Sequence, residues 1–76
     1  MEKLKVLVVD DESTVRKGII LGVDWEKMDC VVAGEATNGL EGLEAVERYN
    51  PNLIITDVRM PKMDGIEMLT RLRQNG

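Results

Sequence analysis

An α/β fold, with a parallel sheet and helices on both faces, is predicted by three features of the sequence. Val6-Leu7-Val8-Val9 and Leu53-Ile54-Ile55 are apolar, mostly β-branched runs, the pattern of strands covered on both sides. The first run leads directly into Asp10-Asp11-Glu12, and the second reaches Asp57 after Thr56. Between and beyond these runs, apolar residues recur at helical spacing, so strands and helices alternate. The expected order is β-α-β-α-β-α, with right-handed crossovers, no internal repeat and no linker.

The first strand is expected over roughly Leu4 to Val9. Ser13 or Thr14 then caps a helix with Val15, Ile19 and Val23 on one face. Gly18 and Gly22 lie a helical turn apart and weaken that helix, which suggests a close approach to a neighbour. Gly22 to Met28 reads as a loop, with Trp25 as a lid over one end of the core. The second strand is short and β-branched, Cys30 to Glu35. Thr37-Asn38-Gly39 turns the chain, and Asn38 is placed to cap a helix with Leu40, Leu43 and Val46 inside. Glu41, Glu44, Glu47 and Arg48 then face water, as a solvated face rather than a metal cluster. Asn50-Pro51 stops the helix, and the third strand leads to Asp57. Asp64, with Glu67 three residues on, opens a last helix whose inward residues are Ile66, Leu69 and Leu72. Asn75-Gly76 reads as a helix stop.

The chain has 76 residues, one small domain at most. At about this size roughly 60% of the extended-chain surface is buried on folding, so stability is marginal. With 43% hydrophobic and 32% charged residues, the composition is neither disordered nor membrane-spanning. Met1-Glu2-Lys3-Leu4-Lys5 enters a strand directly and lacks the layout of a secretory signal, so the expected compartment is the cytoplasm, with no membrane partner. The net charge is −4 and the basic residues are scattered, so this portion is not expected to bind nucleic acid. Cys30 is the only cysteine, which excludes an internal disulfide and suits a buried reduced thiol. There is no histidine, which removes imidazole acid–base chemistry and zinc ligation by histidine from this chain.

Sites in parallel α/β sheets lie outside the carboxyl ends of the strands. Asp10, Asp11 and Asp57 fall at those ends. Carboxylates brought together there repel one another unless a cation sits among them. Oxygen donors without His or Cys favour Mg²⁺ or Mn²⁺ over zinc. A carboxylate beside such an ion can attack phosphorus and form an aspartyl phosphate. The bland alternative is that Asp10 and Asp11 only favour the dipole of the first helix, and that Asp57 only ends a strand.

Val8-Val9-Asp10-Asp11-Glu12, followed by the run from Leu53 through Asp57 to Val58-Arg59-Met60-Pro61-Lys62-Met63-Asp64-Gly65, closely resembles the receiver domain of two-component response regulators. The resemblance covers the whole chain, residues 1–76. It implies a flavodoxin-like fold whose first three strands lie in the order 2-1-3. It implies that Asp57 accepts a phosphoryl group from a sensor histidine kinase. Asp11 and Asp57 would bind Mg²⁺ directly, Asp10 mostly through water, and Arg59 through its backbone carbonyl. Pro61 and Gly65 would shape the loop over the site. Gly22-Val23-Asp24-Trp25-Glu26 and Gly34-Glu35-Ala36-Thr37-Asn38-Gly39 also look like regulators with an AraC-type DNA-binding output domain, which would regulate transcription.

The departure from that family is length. The chain corresponds to the N-terminal portion of a receiver, without the fourth strand's Ser or Thr, the fifth strand's Lys or the output domain. If the polypeptide truly ends at Gly76, the third strand becomes an edge and self-association is expected. The enzyme alternative is a small Mg²⁺-dependent phosphatase with an aspartate nucleophile. Haloacid-dehalogenase-type enzymes place two aspartates one residue apart on one strand, whereas Asp10 and Asp11 are adjacent. Neither a Gly-x-Gly-x-x-Gly nor a P-loop lysine motif is present, which weighs against a nucleotide-binding module. The receiver is therefore read as a phosphoacceptor and not as an enzyme.

Overall fold

The computed structural model describes residues 2–74. Three strands, β1 (Leu4–Val9), β2 (Cys30–Ala36) and β3 (Leu53–Thr56), alternate with three helices, α1 (Ser13–Gly22), α2 (Gly39–Tyr49) and α3 (Gly65–Gln74). The sheet is parallel throughout and its order is β2-β1-β3, as the resemblance implies. Val6 pairs with Leu53 and Val9 with Thr56, so both strands reach the same edge in step. The Asp57 N–H continues that ladder by donating to the Val9 carbonyl at 3.0 Å.

The central strand is covered on both faces, which is why Val6 to Val9 need no alternation. On one face Leu7 and Val9 pack with Ala36, Ala45, Met63 and Met68, under α2 and α3. On the other, Val6, Val8 and Cys30 meet Ile19, Ile20 and Trp25. Leu7 and Met68 are fully buried; truncating either to Ala would cost about 2–5 kcal/mol. Trp25 closes one end of the second core, its indole N–H donating to the Ile20 carbonyl at 3.0 Å. Cys30 is a free, buried thiol.

Several expectations need correction. The α1 N-cap is Glu12, not Ser13 or Thr14, and its side chain makes no capping bond. Asp10 Oδ1 instead accepts the Glu12 N–H at 2.9 Å, so the turn is tied before either hydroxyl is reached. Gly18 and Gly22 face open space: a Cβ on either would meet nothing within 4 Å, so neither serves close packing. Val23 lies just past the helix rather than on its face. The expected loop before β2 contains a short 3-10 helix, Glu26–Met28, closed by Asp29 in the left-handed region at φ 55°. Strand β2 carries a bulge, since Val6 pairs with Val32 but Leu7 with Gly34.

The inward stripes of the later helices also differ. In α2 the buried residues are Gly39, Gly42 and Ala45, with Leu43 and Val46 packed beside them and Leu40 exposed. In α3 they are Gly65 and Met68, with Leu72 packed against the core; Ile66 is 62% exposed and Leu69 is exposed. The cause is close approach: a Cβ on Gly42 would run into the Met68 sulfur, and one on Gly39 would lie 2.6 Å from the Met63 carbonyl oxygen. Helices that come this near present small residues inward, and their larger neighbours rotate outward. As an edge strand β3 is only half-buried, with Leu53 exposed. The helix stop at Asn75-Gly76 lies outside the described residues.

Candidate functional site

The parallel register delivers Asp10 and Asp57 to one edge, with Asp11 beside them. One carboxylate oxygen from each of Asp10, Asp11 and Asp57 lies within 4.8 Å of the others. Asp10 is 7% exposed, while Asp11 and Asp57 are open to solvent. Two ionised carboxylates about 4 Å apart repel by about 1 kcal/mol in water and about 4 kcal/mol at an effective dielectric near 20. The cluster is therefore costly by itself, and three hard oxygen donors without a thiolate or imidazole suit a small divalent cation such as Mg²⁺. Among the described residues no other three or more acidic or thiol side chains converge in this way, the glutamates of α2 included.

Asp10 and Asp57 are each held by neighbouring backbone groups. Asp10 donates its N–H to the Ala36 carbonyl at 3.0 Å and accepts the Glu12 N–H on Oδ1. Asp57 Oδ1 accepts the Val58 N–H at 2.7 Å. Thr56 Oγ1 donates to the Asp57 carbonyl at 2.9 Å. The loop from Val58 to Asp64 returns at Gly65, whose N–H donates to the Val58 carbonyl at 2.9 Å. Gly65 lies so close to the Asp57 carbonyl oxygen that a Cβ there would overlap it. Within the loop Lys62 takes the left-handed conformation, φ 67°, and Met63 is buried beneath α2. Arg59 sits exposed two residues beyond Asp57.

A cleft of about 380 Å³ opens beside the cluster, lined by Val9, Asp10, Glu12, Val15, Ile19, Ile55, Thr56 and Asp57. It gives Asp57 an apolar wall on the α1 side and a route to solvent. Glu12 lines this cleft but contributes no oxygen to the three-carboxylate group. Nearby, Thr37, Asn38 and Glu41 lock the start of α2. Asn38 Oδ1 accepts the Glu41 N–H at 2.9 Å, and Glu41 Oε1 accepts from the Thr37 hydroxyl at 2.8 Å and the Thr37 N–H at 3.0 Å. Those bonds from the Thr37 side chain and backbone hold the Glu41 carboxyl below its ordinary value of 4.5, with burial opposing weakly and Lys62 and Arg16 assisting.

The residue that sequence reasoning missed is Arg16. Its NH1 group donates to the Asp10 carbonyl at 2.7 Å, and its Nε to Glu35 Oε1 at 3.1 Å. An arginine in the first turns of a helix reads as solvated, and only a contact between α1 and the ends of two strands reveals it. Asp64 Oδ1 accepts the Glu67 N–H at 2.8 Å, as its capping pattern suggested, while Glu67 pairs with Arg71.

The profile of the family described as response regulator receiver domain matches residues 6–76. The uncharacterized transcriptional regulatory protein YesN of Bacillus subtilis is 37% identical over 68 residues, 90% of this chain and 18% of that protein. Among solved structures, the receiver domain of AraT, a response regulator from Geobacillus stearothermophilus, superposes with a TM-score of 0.88 at 37% identity, covering 93% of this chain and 55% of that one. A CheX–CheY–BeF3–Mg complex from Borrelia burgdorferi gives a TM-score of 0.80 at 28% identity, covering 97% of this chain and 55% of that one. Other similar structures include a two-component transcriptional regulator AraC and a DNA-binding response regulator of the LuxR family. The sheet order and helix placement are those of the flavodoxin-like receiver fold. The chain spans 18% of the length of YesN and 34% of that of the regulator BvgA of Bordetella pertussis, so it covers only part of these relatives.

Proposed function

The chain belongs to the response regulator receiver-domain family, and from that premise we propose that it accepts a phosphoryl group on Asp57 from a sensor histidine kinase. Mg²⁺ would be held by Asp10, Asp11, Asp57 and the backbone carbonyl of Arg59. The observation that carries this reading is the convergence of three carboxylates at one sheet edge, one of them exposed beside a cleft.

The Val58 N–H holds Asp57 Oδ1, leaving Oδ2 as the oxygen that attacks phosphorus. The new O–P bond forms as the P–N bond to the kinase imidazole breaks, and the departing ring takes up a proton. When bound, Mg²⁺ supplies positive charge for the phosphoryl oxygens and relieves repulsion among the acids. Asp10 and Asp11 would hold the ion, and the register of β1 and β3 fixes their distance from Asp57. The chain acts as an acceptor of one phosphoryl group rather than as a turnover enzyme. Its output is transcriptional control in the cytoplasm, through a DNA-binding segment outside this sequence. AraC-type and LuxR-type regulators among the similar structures both fit that role.

The test is to incubate the chain with a small acyl phosphate and Mg²⁺ and to follow intact mass. One phosphoryl group per chain is expected, and none in Asp57→Asn. Uptake that persists in that variant refutes the assignment of Asp57. Steady turnover of a generic phosphomonoester would point to a phosphatase instead.

A further inference from the structure

We infer that Arg16 is a positioning residue for the acidic cluster: its guanidinium holds the Asp10–Asp11 peptide and thereby aims the Asp11 carboxylate. The inference rests on the metal-binding reading above. The Asp10 carbonyl that Arg16 grips at 2.7 Å belongs to the peptide whose nitrogen is that of Asp11. Rotation of that peptide plane swings the exposed Asp11 side chain, which makes no other bond that would fix it among the described hydrogen bonds. Asp10 has fasteners of its own, through Ala36 and Glu12. Asp11 has only the peptide.

Glu35 completes the device. It lies near the end of β2 and binds Arg16 Nε at 3.1 Å, and the Arg16 side chain is only 13% exposed. The guanidinium is thus spread between a carboxylate outside the cluster and a main-chain carbonyl at its base. Both uses direct its donors away from the three acidic side chains and leave their oxygens for a cation. A planar fork with separate donors suits this double contact; a single ammonium does not.

Mg²⁺ alone, titrated calorimetrically into the unphosphorylated chain, tests the role, with thermal unfolding recorded in parallel without metal. Arg16→Ala and Arg16→Gln are both too short to reach the Asp10 carbonyl. Each is expected to weaken Mg²⁺ binding about tenfold, the lower end of what losing a group that orients metal ligands costs. The direction is diagnostic. Removing a positive charge beside an acidic site favours a cation, so through-space electrostatics would tighten binding instead. Arg16→Lys should recover part of the loss by donating to the carbonyl alone. Glu35→Gln keeps an oxygen for Nε and should stay within about twofold of the parent, since a half-exposed ion pair is worth little.

Unchanged or tighter Mg²⁺ binding in whichever of Arg16→Ala and Arg16→Gln is folded overturns the inference. So does a Glu35→Gln loss equal to that of Arg16→Ala. Asp11→Ala in the same titration separates the two levels. If it binds Mg²⁺ as the parent does, the metal reading itself fails; if it alone is weakened, only the role of Arg16 falls.

Discussion

Gly65→Ala tests how closely the loop is laid against the phosphoacceptor candidate. On helix propensity alone, replacing glycine by alanine should stabilise by about 0.5–1 kcal/mol. The contacts reverse that sign. The added Cβ would overlap the Asp57 carbonyl oxygen and stand 3.1 Å from Thr56 Oγ1 and 3.3 Å from the Asp57 carbonyl carbon. The first two atoms are coupled, because Thr56 Oγ1 donates to that same carbonyl. Neither is the far end of a flexible side chain, so relief requires main-chain movement at Asp57 or a shift of the start of α3. Overpacking of this kind costs about 1–3 kcal/mol, which leaves a net destabilisation of about 1–2 kcal/mol after the propensity gain. With a urea m-value near 1 kcal/mol/M for so small a chain, the midpoint should fall by about 1–2 M. Gly18→Ala is the matched control: nothing lies within 4 Å of its Cβ, and its midpoint should rise. Because displacement of about 1 Å at a reacting group costs on the order of a hundredfold in rate, Gly65→Ala should also slow phosphoryl uptake by about ten- to a hundredfold. A Gly65→Ala chain as stable as the parent, or one that gains like Gly18→Ala, would refute the close-approach argument.

Asp11→Ala should weaken Mg²⁺ binding on titration far more than Glu12→Ala, because Glu12 offers no oxygen to the cluster; equal losses would mean a diffuse acidic field. Glu41 has a folded pKa below its unfolded one, so its bonds to Thr37 stabilise the fold above pH 4.5 and are lost as pH falls through the lower folded value. Unfolding measured across that range should show a small acid-side decline that Glu41→Gln flattens, and an unchanged slope would count against it. The polypeptide Met1–Gly76 alone should self-associate at micromolar concentration, since β3 is an edge and Leu53 and Val58 are exposed beside it; a cooperatively folded monomer by sedimentation would defeat that expectation.

The sheet and its acidic edge were legible because both depend on short-range pattern. Strands covered on two faces are uniformly apolar, and each of β1 and β3 ends where a carboxylate begins. Asn38 and Asp64 were readable as caps because a helix start needs an acceptor three residues before a free N–H. The facing of α2 and α3 was not readable. Periodicity weights large apolar residues such as Leu40 and Ile66, but where two helices and a sheet nearly touch, the space admits Gly39, Gly42 and Gly65. The bulge in β2 and the Arg16–Glu35 contact depend on partners far away in sequence, and the Arg16 bond to the Asp10 carbonyl, six residues back, spans the strand-to-helix turn rather than a helical repeat. Local spacing carries no trace of these.

The two margins of the sheet are not equivalent. Strand β2 departs from regular pairing at its bulge, which increases twist and makes a poor template for a further strand. Strand β3 pairs with β1 without irregularity and leaves a half-covered margin. A polymer of β-sheets needs two sticky sides per unit, one to receive and one to offer. With a single receptive side, each unit can be used once, and a two-fold pair consumes both. For the polypeptide Met1–Gly76 alone, growth by this route would therefore end at two chains instead of propagating into fibrils.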